Sequence, residues 1–396
     1  VKAGFAFKHS RRAIMPFSYS TSLFTPEHNI FRESVRRFIA DEVDPYAPQW
    51  GKAGEMPKSF WKKAGEAGLL GIGVPEEYGG PGGDFLYRVI MAQEIGYSVA
   101  GATMSAAFER DQMSLQFMDN ASEALKRRWV PKMCSGEVQF AFGMTEPDSG
   151  SDPGAMRTHA ELDGHDYVIN GAKTFISGIF TCEAILLACR TSGTKGNKGI
   201  SGLVVEIDRP GVHLGKRLEK MGMHGSDNGE VSFDNVRVPE SNLFGPEGEG
   251  FKVLMTSLNR DRLTWAIIAH AAAQRAFDET VDFVKNRKSF GQRVFDHQNT
   301  QFKLAEMKTE IAVGRAFLDE TIRTVMDGTF DGVRSAMVKM WLPEMEARVV
   351  DQCVQLHGGA GYMEEYPVSR LYTAARLHRI FAGTAEIMRI VVARSI

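Results

Sequence analysis

Three short stretches of this chain gather residue types that can hold a ligand. The first is Gly143-Met144-Thr145-Glu146-Pro147-Asp148-Ser149-Gly150-Ser151-Asp152. Its small and hydroxylated residues can turn backbone N–H groups toward an anionic or carbonyl-rich ligand. The plainer reading is a loop of turn formers. The second is Arg287-Lys288-Ser289-Phe290-Gly291, followed by His297-Gln298. It offers a cation, a hydroxyl and an amide suited to a pyrophosphate, or else a helix C-terminus whose basic residues complement the dipole. The third is Gln355-Leu356-His357-Gly358-Gly359-Ala360-Gly361-Tyr362. Glycines there allow close backbone approach to a ligand, or a helix C-cap and a turn.

Other chemistries lack their signatures. There is no Walker loop, no GxGxxG at a strand-to-helix turn and no HExxH. The GxSxG elbow is also missing. The 10 histidines are scattered, and His297 and His357 read as packed or surface groups. The 4 cysteines form no CxxC pair, so reduced structural thiols are expected. Lys+Arg 47 nearly balances Asp+Glu 49, which excludes a basic nucleic-acid footprint. No apolar run approaches the roughly 20 residues of a membrane span.

The elements that must position these stretches fall into three segments after an N-terminal extension, 1–24. The extension carries Lys2, Lys8, Arg11 and Arg12 and no acid. A targeting peptide and an upstream translation artefact before Met15 both fit it. Segment 25–139 reads as a helical domain. Thr25-Pro26-Glu27 is a helix start, and Ser122 caps a second helix through Trp129. Segment 140–250 has period two and reads as an antiparallel β domain. Asn170-Gly171, between Tyr167-Val168-Ile169 and Thr174-Phe175-Ile176, predicts a hairpin turn. Segment 251–396 is a helical bundle. One helix presents Leu263, Ile267, Phe277 and Val284. A second carries Phe302, Ala305, Ala312, Val313 and Ala316 on its apolar side, and a third carries Val333, Met337, Met340 and Trp341. Pro343 predicts a kink. The fold class is α+β, in the order helices, sheet, helices.

In this order the three stretches resemble the acyl-CoA dehydrogenase family. The resemblance runs from about Thr25 to Ile396 and includes the closing Phe381-Ala382-Gly383-Thr384-Ala385-Glu386-Ile387. The run Asp351-Gln352-Cys353-Val354-Gln355-Leu356-His357-Gly358-Gly359 looks most similar to the long-chain and isovaleryl-CoA branches. The resemblance implies FAD held between the β domain and the C-terminal helices. Met144, Thr145, Gly150, Ser151, Phe175 and Ser177 would line the flavin, with Ser151 also near the acyl-CoA. Arg287, Ser289, Phe290, Gln298, Gln355, Gly359 and Thr384 would hold the dinucleotide, some of them across a subunit contact. A homotetramer follows from such shared sites.

The implied reaction is α,β-dehydrogenation of an acyl-CoA thioester to the trans-2-enoyl-CoA, with electrons passed to an electron-transfer flavoprotein. The compartment would be the bacterial cytoplasm or the mitochondrial matrix. Most members place the base, a glutamate, just before the Gly-Thr near the C-terminus. Ala382 stands there and supplies only backbone. The long-chain and isovaleryl branches carry glutamate before an Arg-Leu on a C-terminal helix. In Asn259-Arg260-Asp261-Arg262-Leu263 the matching residue is Asp261, one methylene shorter. Arg262 would line the acyl-CoA channel. Phe108-Glu109-Arg110-Asp111 falls where members contact the substrate tail. The three charges there, with Arg110 as the substrate contact, suit a polar or carboxylated acyl group better than a long alkyl chain, against a solvated loop or a subunit salt bridge. Two rival readings remain: a flavin monooxygenase or non-redox lyase on the same fold, and an inactive FAD- or acyl-binding protein.

Overall fold

The protein is seen in a computed structural model that describes residues 23–108, 112–191, 193 and 196–396. The basic N-terminal stretch with Met15 and the expected substrate residue Arg110 lie outside the described residues. The N-terminal helices are α1 (Pro26–Glu42), α2 (Ala47–Ala53), α3 (Lys58–Glu66), α4 (Phe85–Tyr97), α5 (Val99–Phe108), α6 (Gln112–Asn120) and α7 (Glu123–Cys134). Thr25 caps α1 as expected, its hydroxyl accepting from the His28 N–H while its own N–H donates to the His28 ring. Ser122 caps α7 by accepting from the Leu125 N–H.

The strands follow: β1 (Phe140–Gly143), β2 (His159–Asp163), β3 (Asp166–Ser177), β4 (Ala184–Arg190), β5 (Ile200–Glu206), β6 (Val212–Arg217), β7 (Asn228–Pro239) and β8 (Leu243–Phe244). Their order is β6-β7-β3-β2-β4-β5-β8, with β1 on β4. Pairing is antiparallel except for β1 with β4 and one β2–β4 bridge. Strand β4 is buried on both sides. Ala184, Leu186 and Ala188 meet the core under α6 and α7, while Ile185, Leu187 and Cys189 fill the interior of the β domain. Period-two alternation explains the split.

The expected hairpin at Asn170-Gly171 is wrong. Strand β3 runs straight through it, and the turn lies at Gly164, where φ is +66°. Asn170-Gly171 instead makes a bulge against β7, marked by the register shift between Ile169 and Gly171. Gly171 is needed there because a Cβ would collide with Thr158, and Asn170 turns its amide oxygen to the Asn235 N–H.

The C-terminal part comprises α8 (Gly250–Asn286), a two-residue-per-strand hairpin β9 (Lys288–Ser289) and β10 (Gln292–Arg293), α9 (Gln298–Met326), α10 (Gly332–His357), α11 (Pro367–His378) and α12 (Ala385–Ala393). Helix α10 continues through Pro343. The apolar faces expected on α9 and α10 need correction. The face of α9 that packs inward carries Leu304, Met307, Ile311, Gly314 and Leu318, whereas Phe302, Ala305, Ala312, Val313 and Ala316 face outward. On α10 the inward residues are Ala336, Val338, Leu342 and Met345, and Met337, Met340 and Trp341 are only half-buried. Both helices are thus apolar on two sides. The outer sides form a groove of about 550 Å³ lined by Val313, Phe317, Met337, Met340 and Trp341. All 4 cysteines are buried, as structural thiols should be.

Candidate active site

Asp261 sits within α8 and is 7% exposed, which rules out an ordinary surface acid. Its sequence neighbours point elsewhere, as helix geometry requires. Arg260 pairs with Asp119 of α6 at 2.5 Å. The Arg262 Nε donates to the Ala382 carbonyl at 3.0 Å. The Gln116 amide donates to the Asp261 carboxyl at 3.3 Å. Burial pushes the Asp261 carboxyl up to about 7, against the pull of Arg88, Arg260 and Arg262. A carboxyl poised near neutrality can accept a proton at physiological pH.

The Arg262 bond sets the Phe381–Thr384 turn against the part of α8 that carries Asp261. Ala382 adopts φ +53°, rare for a residue with a Cβ, and Gly383 follows at +97°. Buried polar groups pin this turn from behind. Lys339, 1% exposed, donates through Nζ to the His378 carbonyl at 2.6 Å and to the Gly383 carbonyl at 3.5 Å. His378 and Glu346 form a fully buried pair at 2.7 Å. Burial raises the Glu346 carboxyl while His378, Arg379 and Lys339 oppose the shift. The Trp265 ring meets the Phe381 ring edge-on at 4.1 Å. With the carbonyls of Ala382 and Gly383 held by cations, the N–H groups of Ala382, Gly383 and Thr384 have no acceptor among the described residues. They are open to an acceptor from outside the chain.

The first ligand stretch lies at the end of β1. Lys173, from β3, is fully buried and holds this loop by donating to the Met144 carbonyl at 3.1 Å and to Glu146 at 2.8 Å. Glu146 also accepts from the N–H groups of Arg157 and Thr158. The Thr145 carbonyl takes the Thr174 N–H, which sets Phe175 beside Thr145. Phe175 has φ +58° and is 67% exposed, in a strand whose neighbours are buried. Ser177 accepts from Asn228, and Gly150 and Ser151 are exposed at the loop's tip.

The other two stretches are surface features. Arg287 ends α8, exposed and without an ion-pair partner among the described residues. Phe290, at the tip of the β9–β10 hairpin, is 97% exposed with φ +49°. Ser289 bonds to His297, and Gln298 starts α9, exposed. Gln355 and Gly359 are exposed at the end of α10, and a Cβ on Gly359 would meet nothing within 4 Å. Thr384 caps α12 by accepting from the Ile387 N–H.

Within one chain the structure thus ties the Ala382 turn to Arg262, the residue after Asp261 on α8. It joins neither surface stretch to Met144–Ser151 by a hydrogen bond among the described residues. Sequence reasoning missed Gln116, Lys173, Lys339, Glu346 and His378. The Gln112–Gln116 spacing on α6 was the one readable signal, since i and i+4 share a helix face.

Known proteins match along the chain. Residues 25–137 match the acyl-CoA dehydrogenase N-terminal domain, 141–236 the middle domain and 248–396 the C-terminal domain. The mitochondrial long-chain specific acyl-CoA dehydrogenase of Rattus norvegicus is 40% identical over 377 residues, 94% of this chain and 87% of the relative. The mitochondrial isovaleryl-CoA dehydrogenase of Arabidopsis thaliana is 34% identical over 99% of this chain and 96% of its own. The crystal structure of an acyl-CoA dehydrogenase from Geobacillus kaustophilus superimposes with a TM-score of 0.91 at 41% identity, covering 94% of this chain and 98% of that one.

Proposed function

The chain belongs to the acyl-CoA dehydrogenase family and is an acyl-CoA-oxidising oxidoreductase; we propose that Asp261 is the base that removes the substrate's α-proton, and that FAD takes the hydride. The observation that carries this reading is a buried carboxyl, raised to about 7, next in sequence to the arginine that holds a turn whose N–H groups have no acceptor among the described residues. Family members use FAD, and the residues present suit it. Phe175 offers an exposed ring in a strained backbone, Arg287 an exposed cation without an ion-pair partner among the described residues, and Gly359 open space for close approach. Met144, Thr145, Gly150, Ser151, Phe175 and Ser177 would hold the flavin end. Arg287, Ser289, Phe290, Gln298, Gln355, Gly359 and Thr384 would hold the dinucleotide, the exposed ones by reaching a second copy of the chain. Bound FAD supplies the acceptor for the hydride leaving the β-carbon.

The chain's own part is proton transfer and charge stabilisation. Backbone N–H groups of the Ala382–Thr384 turn polarise the thioester carbonyl, making the α-proton acidic. Asp261 accepts that proton, and Arg262 keeps the turn in place. The product is the trans-2-enoyl-CoA. Reduced enzyme then passes its electrons to an electron-transfer flavoprotein. The test is anaerobic titration of the purified yellow protein with acyl-CoAs of several lengths. Bleaching of flavin absorbance supports the reading. Flavin that stays oxidised with every thioester refutes it, and rapid oxygen consumption by the reduced, ligand-bound protein supports a monooxygenase instead.

The base also sets a pH dependence. Asp261 works only as a carboxylate, so the rate of flavin reduction rises with pH and levels off above about 7. Stopped-flow reduction from pH 5 to 9 reads this directly. A flat profile, or one that falls through neutrality, removes Asp261 from the role.

The outward apolar faces of α9 and α10 support assembly, which we read as a tetramer of identical chains. Placing a charge there by Val313→Arg should yield a smaller species in sedimentation experiments. An unchanged mass would place the contact elsewhere.

A further inference from the structure

Helix α6 carries two glutamines that no part of the reaction above uses fully. Gln112 is 6% exposed, and both ends of its amide, Nε2 and Oε1, are buried with no hydrogen-bond partner among the described residues. The Gln116 Nε2 donates to Asp261, but its Oε1 is likewise buried and unpartnered. Leaving such groups unpaired in the interior is costly, and native structures rarely do so without a reason.

The geometry of α6 puts both side chains on the face toward α8, where Gln116 reaches the base. Met113 and Phe117, one residue on from each glutamine, belong to the core shared with the β domain, and Phe117 meets Phe140 and Phe244 at 5.0 and 5.1 Å. That fixes the helix's rotation. The stripe Gln112, Gln116, Asp119 then faces α8, as the Gln116–Asp261 and Asp119–Arg260 contacts confirm. Gln112 stands one helical turn from Gln116, on the same side.

Resting on the reading of Asp261 as the base, we infer that the acyl pocket selects an acyl group with a neutral hydrogen-bonding substituent, a hydroxyl or carboxamide, a few carbons from the reacting centre. The unpaired inventory decides the class. Two acceptors, the Oε1 atoms of Gln112 and Gln116, and one donor, the Gln112 Nε2, need partners. A hydroxyl or carboxamide both donates and accepts, so it can answer them. A carboxylate only accepts, and would face two amide oxygens close to Asp261. A plain alkyl chain would leave all three unpaired.

The test uses the holoenzyme and three CoA thioesters of equal chain length: one alkyl, one hydroxylated along the chain, one ending in a carboxylate. Anaerobic ultrafiltration gives the affinities. The hydroxylated thioester should bind at least about tenfold tighter than the alkyl one, because a site with buried polar groups rejects the analogue lacking their partner. Gln112→Leu, close in volume, should erase or reverse that order, and Gln112→Asn should keep it in weaker form. Equal or tighter binding of the alkyl thioester, tightest binding of the carboxylate, or an unchanged order in Gln112→Leu overturns the inference. Flavin absorbance of the same samples separates the two claims. Preferential binding without bleaching sinks the dehydrogenation reading and spares the pocket. Bleaching without preference does the reverse.

Discussion

Asp261→Asn is expected to abolish flavin bleaching by acyl-CoA, slowing reduction by about two to four orders of magnitude, the usual worth of a positioned general base. Asparagine keeps the shape and can still accept from Gln116, so binding should persist while proton removal stops. That split separates a base from a binding residue. Asp261→Glu lengthens the side chain by one methylene and should retain bleaching or speed it. Misplacement of about 1 Å costs around a hundredfold, so the direction of the glutamate effect reports how well the shorter acid reaches. Unchanged bleaching in the asparagine variant would eliminate Asp261.

Stability provides a second readout of the same residue. The folded Asp261 carboxyl titrates near 7, above the unfolded value of about 4. The folded state therefore holds a proton that the unfolded chain has lost. That contribution is complete below the unfolded value and is lost as pH rises through about 7. Above neutrality the wild-type protein keeps a buried, charged carboxylate and the asparagine variant does not. The variant should be the more stable of the two at pH 8, and the gap should shrink toward pH 5, as followed by urea midpoints.

Much of the architecture was legible because it rests on local rules. Thr25-Pro26 and Ser122 begin helices through caps that act within four residues, and the change from helical spacing to period two marks where the sheet begins. The errors arose where the deciding partner is remote. Asn170-Gly171 has hairpin chemistry, yet Thr158 and Asn235 turn it into a bulge. The apolar stripe Phe302–Ala316 is real, but a stripe does not say whether it faces its own core or another chain. Asp261 lies between two arginines, and only the fold shows that Asp119 and the Ala382 carbonyl occupy them, leaving the acid to Gln116. Lys339, Glu346 and His378 are spread over two helices with no motif, so their convergence behind the Ala382 turn had no signature.

Lys173→Met should unfold the Met144–Ser151 loop and destabilise the protein by about 3–5 kcal/mol, the cost of stripping one partner from a buried ion pair. Lys173 and Glu146 have side-chain exposures of 0% and 5%, with the Nζ 2.8 Å from the carboxylate. Burial alone would push the Glu146 carboxyl up. Lys173, aided by the Thr158 and Arg157 N–H groups, outweighs it and holds the carboxyl below its usual range. Burial pushes the Lys173 ammonium down against the pull of Glu146. Removing the lysine leaves a carboxylate in the interior and frees the Met144 carbonyl, so the variant should lose both urea resistance and yellow colour on gel filtration. Glu146→Gln in the same chain should restore much of the stability, because no unpaired charge remains. Recovery should stay incomplete by about 1 kcal/mol, since an amide offers one oxygen to two N–H groups that Glu146 satisfies with two. A double variant no more stable than the single one would show that Lys173 acts through the loop carbonyl rather than through charge.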